Sequence, residues 1–393
     1  MSLTAVRLAG LLALGIAGCG QAPIARPAPT TCGTHRCSWG GLVEAVDSAV
    51  RAGAAPGAVV AVSVRGARFY HHAGQLGTGE PVPIGPETIY DLASLTKVVA
   101  LTTLAMMAVD EGLIRLDDPV SHYLPQFQGA NKNEVTVRHL LTHSSGLPAH
   151  RPLWREATDR DSALQVVLAT PLDTVPGART VYSDLGAITL TQIVERVYGH
   201  PIDHLFAERV AKPLGLRATR FLPPESWRPR IAPTERDPWR GRLVRGEVHD
   251  ENAAFLRGVS GHAGLFSNAR DLLSFGEWLL EQRRGRGGRR QEPRITDSVV
   301  AQFTRRQDLV AGSSRALGWD TPALGSSAGS RLSAESFGHT GFTGTSIWID
   351  PTRSLVVVLL SNRVNPTRDN PRLGPLRALV ADRVVAAIEL APR

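Results

Sequence analysis

Ala58-Val59-Val60-Ala61-Val62-Ser63-Val64, then Arg65-Gly66, then Ala67-Arg68-Phe69-Tyr70-His71-His72-Ala73 is the stretch from which the fold is read. The first run is apolar and β-branched, Arg65-Gly66 is turn chemistry, and the second run resumes as a strand. An antiparallel hairpin follows. The same chemistry returns far along the chain, where Thr345 to Ile349 and Ser354 to Leu360 flank Asp350-Pro351-Thr352-Arg353, a type I turn signature. Helical spacing brackets both hairpins: Leu42, Val43, Val46, Ala49 and Val50 before the first, and Arg372 to Leu390 after the second. Between them, helix and loop patterns run to about residue 330, including Ala163 to Ala169, Ala187 to Val197 and Asp271 to Glu281. The expected fold class is α+β: an antiparallel sheet built from both ends of the chain, flanked by N- and C-terminal helices, with an inserted, mostly helical subdomain. The domain is expected over 41–390, with 41–93 and 331–390 as its α/β part and 94–330 as its helical part.

The first residues carry a different signal. Arg7 precedes the apolar run Leu8 to Ala17, too short to span a bilayer and suited to the core of a signal peptide. The run ends in Ile16-Ala17-Gly18-Cys19, which resembles a bacterial lipobox. A signal peptide over 1–18, lipidation of Cys19 and a tether over 19–40 are therefore expected, the alternatives being a plain cleaved signal or an unprocessed anchor. Pro23, Pro27 and Pro29 suit a tether. The chain is thus expected to be exported and membrane-anchored through lipid, at the periplasmic or cell surface. Cys32 and Cys37 could close a disulfide there. A metal site with His35 is the alternative, and the disulfide is the favoured reading.

The formal net charge of +8 would permit a nucleic-acid binder. The basic residues are spread along the chain without zinc-finger spacing or an aromatic RNA-binding cluster, so no nucleic-acid partner is expected. The run from Arg283 to Arg290 reads as a solvated loop, with contact to an anionic lipid or polymer as the alternative. Lys97, Lys132 and Lys212 are the only lysines among 44 basic residues.

Ser94-Leu95-Thr96-Lys97 opens a segment, Leu95 to Val109, that is apolar almost all round and so reads as a buried helix. Three residues apart, Ser94 and Lys97 share a face. Burial and the positive helix end are both expected to depress the lysine pKa, and a neutral amine could take the serine proton. The bland alternative is a lysine at a helix start behind a capping serine.

Ser94-x-x-Lys97, Tyr182-Ser183-Asp184 and His339-Thr340-Gly341 stand in the order of three elements of the class C β-lactamases and low-molecular-mass penicillin-binding proteins, a family of serine hydrolases that this chain resembles. Leu140 to Pro148 and Gly258 to Ser267 are also similar to that family, and Val248 to Ala253 resembles a DD-carboxypeptidase branch of it. The likeness covers roughly Leu42 to Leu390. It implies Ser94 as nucleophile, Lys97 as base, Tyr182 as proton relay, and the Ser94 and Phe342 N–H groups as an oxyanion hole. Asp184, His339, Thr340 and Gly341 would face substrate. Two departures matter: Asp184 stands where β-lactamases usually carry asparagine, and His339 where they carry lysine. A carboxylate only accepts hydrogen bonds, so recognition of a substrate amide should differ; a histidine carries less charge at neutral pH, so a substrate carboxylate should be held less strongly.

The expected activity is acyl transfer to water through an acyl-enzyme, on a cell-wall peptide ending in D-amino acids. A carboxylesterase or a weak β-lactamase is the alternative within enzymes, and a non-catalytic peptidoglycan-binding protein the alternative outside them. No cofactor and no metal are expected: no His-Glu-x-x-His occurs. Gly258-Val259-Ser260-Gly261-His262 lacks the last glycine of a G-x-S-x-G elbow, which disfavours an α/β-hydrolase. His143 and Ser145 read as loop-shaping residues, and His249 and His262 as satisfied structural histidines at least as readily as cleft residues.

Overall fold

The computed structural model describes residues 30–32, 35–286 and 292–389. Residues 1–18, Cys19 and most of the tether lie outside these, as do part of the arginine-rich loop and Leu390. Short strands at Thr30–Cys32 and His35–Cys37 pair antiparallel. Cys37 is buried and disulfide-bonded, while the side chain of Cys32, its expected partner, lies outside what is described.

The hairpins foreseen at the two ends of the chain meet in one antiparallel sheet of six strands. After helix α1 (Gly40–Arg51) come β1 (Gly57–Val64), β2 (Ala67–Gly77) and β3 (Glu80–Pro83). The C-terminal part contributes β4 (Phe337–Gly341), β5 (Thr345–Asp350) and β6 (Leu355–Ser361). The order is β4-β5-β6-β1-β2-β3. The seam is β6 against β1, pairing Leu355 with Val64 and Ser361 with Ala58.

Every residue of β1 and β6 is buried, because both faces of the sheet are covered. Val60, Val62, Val357 and Leu359 face α1 and the C-terminal helix, meeting Leu42, Val46, Val380 and Val384. Val59, Ala61, Val356 and Val358 face the other way, toward Leu272, Phe275 and Leu279 of the helix Ala269–Arg283. Each such side chain removed from water contributes about 1.5–3 kcal/mol. That is why these strands read as continuous apolar runs.

The helix expected over Leu95 to Val109 is present, wound as a π-turn over Lys97–Thr102 and then as an α-helix over Thr103–Asp110. The helix Asp184–Tyr198 is capped by Ser183, whose hydroxyl accepts the Gly186 N–H, and ends at the left-handed Gly199. A small sheet was not foreseen in the middle region: Leu265–Ser267 pairs with both Tyr90–Asp91 and Arg220–Phe221. Strands of two or three residues are too short for alternation to register in sequence. No helix among the described residues is long and apolar enough to cross a membrane.

Candidate active site

The site begins at a strained turn. Leu92 donates its N–H to Leu265 O at 2.9 Å, which ends the short strand Tyr90–Asp91. Ala93 then takes φ +46°, a left-handed conformation that costs a residue with a Cβ. The buried carboxylate of Asp91 holds this turn, accepting the Ala93 N–H at 2.8 Å and the His249 N–H at 2.6 Å. Burial pushes the Asp91 carboxyl up against the pull of those two amides. The turn places the half-buried Ser94 at the mouth of the helix, with its Oγ 3.2 Å from Lys97 Nζ.

Lys97 is 3% exposed. Its Nζ contacts Ser94 Oγ, His262 O at 3.0 Å and Asp184 Oδ1 at 2.7 Å. Those contacts occupy all the hydrogens an ammonium has. The Asp184 carboxylate at 2.7 Å favours the ammonium in the resting site over the expected neutral amine. Burial does push the lysine down, but the Asp184 carboxylate and the Tyr182 phenol outweigh it, and the net shift is upward. The correction comes from Asp184, whose charge a sequence reading placed toward substrate rather than on Lys97.

Tyr182 sits at the crossing of several groups. Its ring centroid is 4.9 Å from Lys97 Nζ and 5.2 Å from the Arg315 guanidinium carbon. The rings of His143 and His339 lie 4.6 and 5.8 Å away. Its hydroxyl is buried and has no hydrogen-bond partner among the described residues. His143, as expected, shapes its loop: with φ +55°, it accepts the Ser183 N–H on Nδ1 at 3.1 Å. Burial, with Arg315 and Lys97 close by, holds both histidines well below the ordinary imidazole range. His339 Nδ1 lies 2.8 Å from Thr340 O, an acceptor, so Nδ1 carries the proton, and Nε2 is a buried lone pair without a partner among the described residues.

The end of β4 is lashed to the turn before Ser94. Thr343 and Thr345 donate their hydroxyls to Asp91 O and Leu92 O, at 2.7 and 3.0 Å. Gly341 must be glycine here, because a Cβ would stand 2.3 Å from Leu92 O. Arg377 donates to Gly341 O at 2.6 Å from the other side. Phe342 follows, half exposed, with its ring between His249 at 5.7 Å and the Arg363 guanidinium at 4.5 Å. Thr340, half-buried, stands on β4 opposite Ser346. The structure thus gathers Ser94, Lys97, Tyr182, Asp184 and His339 into one cluster, with Thr340, Gly341 and Phe342 on the strand and turn tied to it.

The stretch Val248 to Ala253 works as a clasp. Asp250 accepts from the Ala253 amide and lies 2.9 Å from His262 Nε2, while His262 Nδ1 meets Ser260 Oγ at 2.7 Å. Asn252 accepts the Leu153 N–H and donates to Arg151 O. His249 and His262 are thus satisfied, structural histidines. Arg315, the one cation besides Lys97 on the Tyr182 ring among the described residues, was missed: in a chain this rich in arginine nothing marks it. Its Nη1 is buried without a partner among the described residues. No cluster able to hold a metal ion occurs among the described residues.

Comparisons with known proteins bear on family and fold. The profile of the Beta-lactamase family matches residues 42–382. A protein of Salmonella typhimurium that carries the name D-alanyl-D-alanine carboxypeptidase is 34% identical over 331 residues, 75% of this chain and 74% of its own length. Among solved structures, a penicillin-binding protein homologue from Caulobacter crescentus superposes with TM-score 0.72 at 23% identity, covering 89% of this chain and 97% of that one. EstCE1, a hydrolase with promiscuous acyltransferase activity, gives TM-score 0.71 at 22% identity, covering 88% and 97%. At such identities the two structures speak for the fold.

Proposed function

The chain belongs to the beta-lactamase family, as a serine hydrolase of the β-lactamase and penicillin-binding-protein type, and we propose that it is an exported carboxypeptidase acting on cell-wall peptides that end in a D-amino acid. The observation that carries this reading is the cluster itself: Ser94 Oγ at hydrogen-bonding distance from a buried lysine, beside a tyrosine hydroxyl without a hydrogen-bond partner among the described residues. Ser94 Oγ bonds to the carbonyl carbon while its proton passes to Lys97, once the lysine has itself given up a proton. The carbonyl electrons move onto oxygen, facing the Ser94 and Phe342 amides. On collapse the carbon–nitrogen bond breaks, and the Tyr182 hydroxyl gives its proton to the departing amine and regains one from Lys97. Water then releases the acyl group.

Arg315 supports a peptide with a free terminal carboxylate. Its unpartnered Nη1 supplies the cation that neutral His339 does not. The name borne by the Salmonella relative supports the same substrate class. The apolar run at 8–17 and the disulfide at Cys37 support export, with Cys19 as lipid anchor. A second reading, carboxylesterase, is favoured by neutral His339, which leaves the third element without charge. Mass spectrometry of Ser94 after exposure to a penicillin, a D-alanyl peptide and a p-nitrophenyl ester separates them. Peptide turnover with penicillin adducts supports the carboxypeptidase, ester turnover alone supports the esterase, and no Ser94 adduct with any probe removes both.

A further inference from the structure

Acylation through Lys97 requires a lone pair on Nζ, and the resting site leaves none. The ammonium spends its hydrogens on Ser94 Oγ, His262 O and Asp184 Oδ1, and the contact to Asp184 is the shortest at 2.7 Å. His262 O is a carbonyl and Ser94 is the group to be deprotonated, so neither can relieve Lys97 of a proton. We propose that Asp184 is the proton acceptor that activates Lys97. The Lys97 N–H proton passes to Asp184 Oδ1, giving a neutral amine and a neutral acid. The freed lone pair then takes the Ser94 proton as Oγ bonds to the substrate carbonyl carbon. This rests on the reading of Ser94 as nucleophile and Lys97 as its base. An asparagine at this position could hold Lys97 in place but could take no proton.

The surroundings suit a transfer within the pair. Lys97 is buried, and substrate over Ser94 removes water from the Asp184 side, where the carboxylate is 22% exposed. An ion pair loses solvation as water leaves, so the neutral pair gains on it. The other titratable groups facing the pair are Tyr182 from the same segment, Asp250 from the clasp and its partner His262, His143 from its loop, and His339 on β4, with Arg315 beyond the tyrosine ring. Asp250 is already engaged by His262 at 2.9 Å, and both uncharged histidines pack at a tilt against the Tyr182 ring.

The consequence is a pH signature. The reactive form, neutral lysine with protonated Asp184, has as many protons as the resting ion pair, so reaching it exchanges none with solvent. Acylation should be flat between pH 5.5 and 8.5, changing less than about threefold. In Asp184→Asn the lysine must lose its proton to solvent, and the rate should climb about tenfold per pH unit across the same window. The probe is p-nitrophenyl acetate followed by its burst, since p-nitrophenolate leaves without needing a proton and the rate reports only the activation of Ser94. Ser94→Ala supplies the background. Asp184→Glu should restore the flat profile, and Asp184→Ser replaces the asparagine variant if that one does not fold. A variant lacking the carboxylate that stays as flat as the wild type, or a wild type that itself climbs tenfold per unit, overturns the proposal. A burst that survives in Ser94→Ala would instead remove the nucleophile assignment, a separate failure.

Discussion

Asp91 Oδ2 accepts the His249 backbone N–H at 2.6 Å, joining the turn that presents Ser94 to the clasp at 248–253. Its other oxygen accepts the Ala93 N–H at 2.8 Å, so one buried carboxylate fixes both segments. Asp91→Ala leaves two buried donors without partners and should cost about 2–5 kcal/mol in chemical denaturation. Ser94 acylation should slow in the folded fraction, because the left-handed Ala93 loses its anchor. A stability loss under about 0.5 kcal/mol, the level of an ordinary surface change, would show that the turn holds without it.

Tyr182→Phe separates activity from stability. The hydroxyl is buried and unpartnered among the described residues, so deleting it removes an unsatisfied polar group. The melting temperature should stay level or rise, while kcat falls by about 10²–10⁴, the usual weight of a positioned proton donor. A variant that keeps wild-type kcat excludes Tyr182 from proton transfer.

Arg315→Gln tests the carboxylate reading. A charge-assisted hydrogen bond of about 1.5–3 kcal/mol corresponds to roughly a 10- to 150-fold loss in kcat/KM on a peptide with a free D-alanyl carboxylate. The same peptide capped as a carboxamide should be turned over equally by wild type and variant. If both peptides suffer alike, Arg315 serves only to hold the Tyr182 ring.

Acid stability should depend on Glu235, which lies 2.8 Å from His249 Nε2 and 2.6 Å from Arg368 Nε. Burial pushes its carboxyl up, but these partners prevail and hold it at about 2, below the ordinary 4.5. A carboxyl depressed in the folded state favours folding above its unfolded pKa. That contribution is complete above pH 4.5 and is lost as pH falls toward 2. Melting temperatures measured from pH 6 down to pH 2.5 should therefore drop more steeply for wild type than for Glu235→Gln. Parallel slopes would mean that the unfolded chain holds Glu235 equally well.

Much of the candidate site was legible through the family resemblance, since Ser94, Lys97, Tyr182 and His339 fall on its motifs in its order, and the structure brings them together. The scarcity of lysine was a weaker guide. Lys132 is as deeply buried as Lys97, yet it donates to the Leu168 carbonyl and sits over the Phe127 ring, with no serine beside it in the contacts described. Asp91 and Arg315 gave no signal, since one carboxylate and one arginine look like any other until their neighbours are known.

The fold class was set by the sequence alone, because the apolar runs at 58–64 and 355–360 are buried on both faces, and burial leaves its mark on composition. The pairing of β1 with β6, and the short central strand at 265–267, depended on contacts between distant segments. Charge was also decided there. Local position predicted a depressed lysine, since burial and a helix end act on Lys97 wherever the rest of the chain goes. Only tertiary structure brings the Asp184 carboxylate to 2.7 Å, and an opposite charge at that distance outweighs the desolvation that the sequence could foresee.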